Sequence, residues 1–385
     1  MTHGAEIWER ILRGETRGGV EGAVGAAARG MLAALAGGYG VAVAAYRAAY
    51  DWRWIRPRGL PCPVLSVGNL TVGGTGKTTT TRWLAWRLMA GGVRPAILSR
   101  GYRSAAGRTP MVVSDPGGIR LATDRSGDEP QLLARSLPGV PVLIGRDRVA
   151  SGRLACGEFG VGACLLDDGF QYWRLRKDVE IVLIDATCAF GYGALIPRGL
   201  LRESPRALRR ADLVILTRVD FVEPVVHVAI EREVRRWAPA VRWAGARHRP
   251  QDLVALDGSA RAPLAALSEG RWAALSSIAR PDSFERTLAA SGAVRLVPFR
   301  FPDHHRYSEG EIGAVVRRAR AAGCTAVVTT EKDAVKLAAR WFAGMACWVL
   351  PIDLEFVWGE DEIERLLEER VGVGSRATAA AYQTR

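Results

Sequence analysis

Val64-Leu-Ser-Val-Gly-Asn-Leu-Thr-Val-Gly-Gly-Thr-Gly-Lys-Thr-Thr-Thr80 is the stretch whose reading decides the fold. Pro63 to Val67 reads as a short buried strand that ends at Gly68. Gly73, Gly74 and Gly76 follow, and Lys77-Thr78 opens a helical stretch that runs to Ala90. Glycine lets the main chain curl so that successive N–H groups point at one anion. The start of a helix adds partial positive charge at the same place. Lys77 can then reach the β/γ-phosphates and the Thr78 hydroxyl can bind Mg²⁺. The strict pattern has glycine at position 71, where this chain has Thr71. A strand before and a helix after still make this a nucleoside triphosphate site. Gly73, Gly74, Thr75, Gly76, Lys77, Thr78 and Thr79 are its candidate residues.

Outward from that stretch the chain continues as α/β. Ala96–Ser99, Val140–Ile144, Ala163–Leu166, Glu180–Ile184 and Leu213–Thr217 are short apolar runs, many separated by helix-length segments. That pattern predicts a mainly parallel sheet covered by helices on both faces, the three-layer α/β/α core of a P-loop NTPase. Arg103–Arg125 is rich in turn residues and reads as a hairpin or excursion. Beyond Phe221 the pattern restarts. Val225–Trp237, Glu309–Ala322 and Asp361–Glu369 read as helices. Arg271–Ser276, Ala293–Pro298, Thr325–Thr329 and Cys347–Leu350 read as strands. The expected organisation is an apolar N-terminal region over 1–58, the phosphate-binding core over 59–222, a smaller α/β subdomain over 223–371 and a disordered tail over 372–385. The 385 residues suffice for two to three domains at about 100–200 residues each.

Charge and cysteine usage narrow the setting. The 53 Lys and Arg against 40 Asp and Glu leave a net charge of +13. Lysine occurs only at Lys77, Lys177, Lys332 and Lys336, so arginine carries the excess. A basic surface suits phosphorylated substrates, anionic lipids or nucleic acid. No aromatic RNA-binding strand and no Arg-rich recognition helix accompanies it, so nucleic acid is not an expected partner. The six cysteines form no C-x-x-C pair and no zinc spacing, which reads as free thiols in a reducing compartment. Glu6, Glu9 and Glu15 interrupt the N-terminus, against a secretory signal. Gly30–Tyr46 is 17 residues without a charge. As a helix it is about 25 Å long, just short of the roughly 30 Å hydrocarbon core. Arg29 precedes it, Tyr46 closes it, and Arg47, Tyr50, Trp52, Arg53 and Trp54 follow, a pattern that suits a membrane interface as well as a core helix.

Three acidic or histidine-bearing motifs can carry chemistry. Leu165-Leu-Asp167-Asp168-Gly169 puts two carboxylates at the end of a buried strand, where a metal-binding acid belongs in a phosphate-loop protein. Asp185, after Ile181–Ile184, is a rival ligand. Asp128 and Glu129, in Ser126-Gly-Asp-Glu-Pro130, read equally as a helix start and as a base or metal ligand. His304, in Phe301-Pro-Asp-His304-His-Arg-Tyr307, can move a proton or sit in an ordinary polar turn.

In order along the chain, VGNLTVGGTGKT, ILSRGY (97–102), GDEP (127–130), GRDR (145–148), LDDGFQ (166–171), IPRGLLRE (196–203), PDHH (302–305) and TTEKDAVKL (329–337) together resemble the tetraacyldisaccharide 4′-kinase, or lipid A 4′-kinase, family. The resemblance implies transfer of the ATP γ-phosphate to the 4′-hydroxyl of a tetraacyldisaccharide 1-phosphate, with catalysis in a cleft between the core and the smaller subdomain. By motif match it implies Asp128 as base with His304 as its partner, and Lys77 as the catalytic cation. Thr78, Glu129, Asp167 and Asp168 are implied on the magnesium side, and Tyr102, Arg148 and Arg202 as substrate or phosphate contacts. It further implies a monomer at the cytoplasmic face of the bacterial inner membrane. Two positions depart from the family pattern: Tyr172 stands where histidine is usual after DDGFQ, and Arg198 where alanine is common. A GTPase switch is the competing class. However, Leu216-Thr-Arg-Val-Asp220 lacks the Asn and Lys of the guanine-reading sequence, and no D-x-x-G follows the acidic strand.

Overall fold

A computed structural model describes residues 20–373 apart from 103, 105, 106 and 108. The Glu6, Glu9 and Glu15 positions lie outside the described residues. The chain forms two compact units, each built from separate stretches. Unit 1 comprises residues up to 100, 147–247 and from 356 onward, and unit 2 comprises 101–146 and 248–355. Residues 223–247 thus belong with the phosphate-loop stretch, and 101–146 belong with the later part of the chain. The blocks 59–222 and 223–371 follow chain order, whereas the compact units interleave.

In unit 1, six strands pair in parallel in the order 242–250, 213–217, 179–185, 64–69, 163–167 and 95–99. Five of them, Val64–Asn69, Pro95–Ser99, Ala163–Asp167, Val179–Asp185 and Leu213–Thr217, are buried almost end to end. That is what a parallel sheet covered on both faces demands, and it explains why they read as continuous apolar runs. The Lys77–Ala90 helix returns from the first strand, with Trp83, Leu84 and Leu88 buried. At its end Gly91 lies under Val373, where an added Cβ would meet the valine methyl at 2.2 Å. Of the tail expected from 372, Gly372 and Val373 are described, and Val373 is buried.

The long helix Val20–Asp51 also belongs to unit 1. Its Gly25–Asp51 part is long and apolar enough to cross a membrane, and little of it is buried. Met31, Leu35 and Val41 are exposed, while Leu32 and Ala36 are buried. Toward its end Tyr46 and Tyr50 pack on Trp173, and the Tyr39 hydroxyl donates to the Arg202 carbonyl at 2.9 Å.

Unit 2 holds a six-stranded sheet in the order 261–262, 253–255, 347–350, 326–330, 272–276 and 296–300. Its last four strands are parallel and its first two pair antiparallel at the edge. Ile312, Val315, Val316 and Ala319 of the Glu309–Ala321 helix pack on Ala273, Leu275 and Val327 of the sheet. Ser308 and Glu311 close a capping box at the start of that helix. Met111–Asp115 and Gly118–Ile119 form the hairpin expected in the turn-rich stretch.

Candidate functional site

In unit 1 the loop after Asn69 is braced from below. The Asn69 amide donates to the Thr75 hydroxyl at 3.0 Å and its oxygen accepts from Lys77 Nζ at 3.3 Å. The Thr217 hydroxyl donates to the Thr75 carbonyl at 3.1 Å, and Arg218 Nη2 to the Gly74 carbonyl at 2.8 Å. Gly73 and Gly76 have φ values of 117° and 91°, in the region that favours glycine. Gly76 precedes the first helical residue and no side chain caps it. The helix N–H groups therefore face the loop, the arrangement that binds an anion. Thr78 and Thr79 lie in the first turn, half-buried.

Both acids of the Asp167–Asp168 pair reach this region by different routes. Asp167 ends its strand, is buried, and lies 3.5 Å from the Thr81 hydroxyl, one turn beyond Lys77. Asp168 takes a positive φ of 61° and turns toward cations. Arg202 Nη1 donates to both of its oxygens at 2.8 and 2.9 Å, and Lys77 Nζ is 3.7 Å away. Burial opposes its ionisation, but the charges of Lys77 and Arg202 outweigh that and hold its pKa below the ordinary carboxylate value. Asp185, the rival acid, is occupied otherwise: it pairs with Arg218 and accepts from the Thr187 N–H at 3.0 Å, capping the turn that follows.

Arg148 and Tyr172 form a second feature of unit 1. Asp147 caps the Arg148–Phe159 helix, accepting from the Val149 and Ala150 N–H groups at 3.1 and 3.3 Å. The Arg148 guanidinium stacks 3.6 Å from the Tyr172 ring centre. The Tyr172 hydroxyl accepts from the Arg148 N–H at 3.1 Å and donates to Asp147 Oδ1 at 3.3 Å. Burial lowers the Arg148 pKa to about 10, with Tyr172 opposing, so the group stays cationic at neutral pH. Tyr172 therefore supports an arginine and a helix cap. Arg202 is steadied in turn by Gln171, which accepts from it at 3.3 Å and donates to Glu203 at 3.2 Å. Arg210 closes that network on Glu203 at 2.8 Å.

Unit 2 brings Asp128 and His304 together across 176 positions, with His304 Nδ1 3.1 Å from Asp128 Oδ2. Gly127, with φ 86°, precedes the helix, so Asp128 is its first residue and not its cap. A Cβ on Gly127 would come within 2.9 Å of the Tyr102 carbonyl. His304 occupies a left-handed position, φ 59°, in a turn tied to the sheet through its N–H to the Ser277 carbonyl at 3.2 Å. The exposed Tyr102 ring lies 5.5 Å from the imidazole, centre to centre.

Sequence reasoning assigned no role to the cations and buried acid behind this pair. Lys332 Nζ lies 3.2 Å from His304 Nε2, 3.5 Å from Glu129 and 3.4 Å from Asp303. Lys336 Nζ lies 3.5 Å from Asp128 Oδ2, 2.8 Å from Asp333 and 2.6 Å from the Ser277 hydroxyl. Asp333 is fully buried and also accepts from the Ser277 N–H at 2.9 Å, the Thr330 hydroxyl at 2.8 Å and the Tyr307 hydroxyl at 3.3 Å. With Lys332 donating to Nε2, the imidazole carries its proton on Nδ1 and donates to Asp128. Burial pushes the Asp128 pKa up, but the His304 hydrogen bond and the Lys336 and Lys332 charges hold it below the ordinary value. The carboxylate is thus ionised, oriented and partly buried, the state a proton acceptor needs. Scarcity was the available signal, since two of only four lysines fall at 332 and 336, on successive turns of a motif with no assigned role.

Residues 28–372 match the family model for tetraacyldisaccharide-1-P 4′-kinase. A tetraacyldisaccharide 4′-kinase of Anaeromyxobacter dehalogenans strain 2CP-C is 46% identical over 331 residues, covering 85% of this chain and 86% of that protein. One from Syntrophus aciditrophicus is 43% identical, covering 78% of this chain and 82% of its own length. Among solved structures, LpxK from Aquifex aeolicus in complex with ATP superposes with a TM-score of 0.70 at 28% identity, covering 89% of this chain and 99% of its own. A match over most of the chain, with relatives above 40% identity, means that this chain belongs to the tetraacyldisaccharide-1-P 4′-kinase family.

Proposed function

We propose that the protein transfers the γ-phosphate of ATP to the 4′-hydroxyl of a tetraacyldisaccharide 1-phosphate in lipid A biosynthesis. Family membership supports the reaction, and the 3.1 Å Asp128–His304 contact is the observation that carries the chemistry. A sugar hydroxyl is a poor nucleophile, so its proton must pass to a base as the oxygen attacks phosphorus. Asp128 takes that role. The His304 hydrogen bond and the Lys336 ion pair both meet Oδ2, and Oδ1 is the oxygen proposed to accept the hydroxyl proton. His304 orients the carboxylate through its Nδ1–H, while Lys332 and Lys336 keep the carboxyl ionised before the reaction.

The phosphate side rests on Gly73, Gly74, Thr75, Gly76 and Thr79 around the triphosphate, with Lys77 against the charge that develops on the transferred group. Magnesium fits the donor set, because Thr78 and Asp167 offer the hard oxygens that this ion prefers. When bound, it neutralises phosphate charge. Asp168, already held by Arg202 and Lys77, serves better as an organiser of those cations than as a direct ligand. Glu129 is a further acid on the magnesium side. Arg148, Arg202 and Tyr102 are contacts for the substrate and its phosphate.

A lipid substrate also gives the apolar helix a role. Its exposed Met31, Leu35 and Val41, with Trp52 and Trp54 beyond its end, suit burial in the headgroup region of the inner membrane's cytoplasmic leaflet. The proposed working form is a peripheral or N-terminally anchored monomer. Incubation of purified protein with γ-labelled ATP, Mg²⁺ and a tetraacyldisaccharide 1-phosphate tests the reaction. Label at the 4′-position is the expected result, and release of label only as inorganic phosphate overturns it. The competing GTPase reading lacks the Asn and Lys of its guanine-reading sequence in Leu216–Asp220.

A further inference from the structure

Three of the six cysteines converge in unit 1, away from every residue given a role above. Cys62 lies in the segment that leads into the first strand, Cys156 on the Arg148–Phe159 helix and Cys164 on the Ala163–Asp167 strand. Cys62 Sγ is 3.2 Å from Cys156 Sγ and 3.6 Å from Cys164 Sγ, and all three sulfurs fall within 4.8 Å of one another. We propose that Cys62, Cys156 and Cys164 bind a thiophilic divalent cation of the zinc class, through three sulfurs with the fourth position open to solvent.

Geometry and chemistry both point there. A tetrahedral zinc–thiolate site, with zinc–sulfur bonds of about 2.3 Å, separates its sulfurs by roughly 3.8 Å. The observed spacings need only small side-chain adjustments to meet that. Sulfur ligands select soft cations over magnesium, so the site is chemically distinct from the oxygen-lined phosphate region. Cys164 is buried, whereas Cys62 and Cys156 are half-buried and leave a path for an ion. The Cys62 and Cys156 protons leave as the sulfur–metal bonds form and pass to solvent. Cys164 gives up its proton in the same way.

The position of the cluster predicts no direct competition with nucleotide. Cys164 pairs with Val64, at the start of the first strand, while the phosphate loop follows that strand's far end. Cys164 and Asp167 are three strand residues apart, about 10 Å.

Cadmium is a suitable probe, because thiolate coordination gives an ultraviolet charge-transfer band that oxygen ligands do not. The full chain, reduced with a thiol-free reagent, is titrated with Cd²⁺ by absorbance and with Zn²⁺ against a chromophoric chelator. One equivalent per chain is expected, with affinity at least tenfold weaker in Cys62→Ser and in Cys156→Ser. Cys188→Ser, outside the cluster, should bind like the unaltered protein. Absence of the band in the unaltered protein overturns the proposal, and so does a band of equal strength and affinity in Cys62→Ser and Cys156→Ser. Circular dichroism of each variant excludes unfolding as the cause of lost binding.

Discussion

The phosphate loop and the Asp128–His304 cluster solve the same problem by different routes. Each must hold acids and cations close together, partly out of water, without either neutralising the other by proton transfer. The loop does so with neighbours in sequence. Asn69, Thr75 and Lys77 brace one another across eight residues, with Asp168, Arg202, Thr217 and Arg218 added from elsewhere in unit 1. The cluster draws on four distant stretches, with Asp128 and Glu129, Ser277, His304 and Tyr307, and then Lys332 to Lys336. A contiguous motif has its geometry set largely by the backbone of one turn. A dispersed one depends on the sheet and helices that carry its parts, so its chemistry and its stability are harder to separate.

The largest expected effect tests the contiguous side. Lys77→Ala should lower turnover by roughly 10²–10³, since electrostatic stabilisation of the transferring group is lost. Circular dichroism and denaturant midpoint should stay close to normal, because Lys77 is half-buried and its bonds are to Asn69 and Asp168. Near-normal turnover would remove the phosphate role of this loop.

On the dispersed side, Asp128→Asn and His304→Ala should each cut kcat by about 10²–10³ with little change in KM for ATP. Since both act on one proton, the double variant should lose far less than the product of the single losses. Multiplicative losses at saturating substrate would separate the two residues into independent roles.

How legible each side was in the sequence follows from the same contrast. Gly73, Gly74, Gly76 and Lys77-Thr78 state their purpose by spacing alone, because one strand and one helix start fix their relation. The buried parallel strands were equally plain, since both faces are covered and most of their positions are apolar. Arg242–Pro250 and Ile352–Trp358 were not read as strands. They mix Arg, His, Asp and Glu with apolar residues and bury only part of their length. The Arg148–Phe159 helix was hidden by Gly152 and Gly157. Gly152 passes close to Leu60, whose side-chain end a Cβ would meet at 2.2 Å and push aside. Asp128 and His304 could be paired only through family resemblance, since no local spacing links residues 176 apart. Asp333 gave no signal at all, because a buried acid satisfied by Ser277, Thr330, Tyr307 and Lys336 looks in sequence like any helix-start aspartate.

Lys336 sharpens the difference, because stability and chemistry meet in it. Lys336→Met leaves the fully buried Asp333 without its cation, and removing one partner of a buried pair costs about 3 kcal/mol. A denaturant midpoint measures that loss. The same change removes a charge that depresses the Asp128 pKa, so the acid limb of kcat/KM should move to higher pH. The sign is fixed by linkage. A carboxylate with a depressed folded pKa contributes its stability above the unfolded value, near about 4, and loses it as pH falls through the folded value. Lifting the folded value narrows that difference. An unmoved acid limb in a folded Lys336→Met protein would detach Lys336 from Asp128.

A smaller effect is expected at the end of unit 1 proposed to meet the membrane. Trp52 and Trp54 are 65% and 75% exposed, and their rings lie 5.0 Å apart. Replacing both by serine should weaken binding to anionic vesicles by about tenfold, with ATP affinity unchanged. Deleting residues 1–52 is a poorer experiment, since it also removes the packing of Tyr46 and Tyr50 on Trp173. Equal vesicle sedimentation by the double variant and the unaltered protein would assign the anchor elsewhere.

The smallest effect separates a ring from its hydroxyl. Tyr172→Phe keeps the face on which Arg148 stacks but removes the hydroxyl shared by the Arg148 N–H and Asp147. The loss should be about 0.5–1.5 kcal/mol of stability, with turnover almost unchanged. Tyr172→Ala also removes the stacking surface, so its Arg148 guanidinium is freed from the position that makes it available to phosphate. Its KM for the lipid substrate should then rise more than that of Tyr172→Phe, while Tyr172→His, which restores the residue usual in the family, should fall between them. If all three variants share one KM and differ only in thermal midpoint, the Arg148–Tyr172 stack is a helix-start brace, and the phosphate contact assigned to Arg148 is lost.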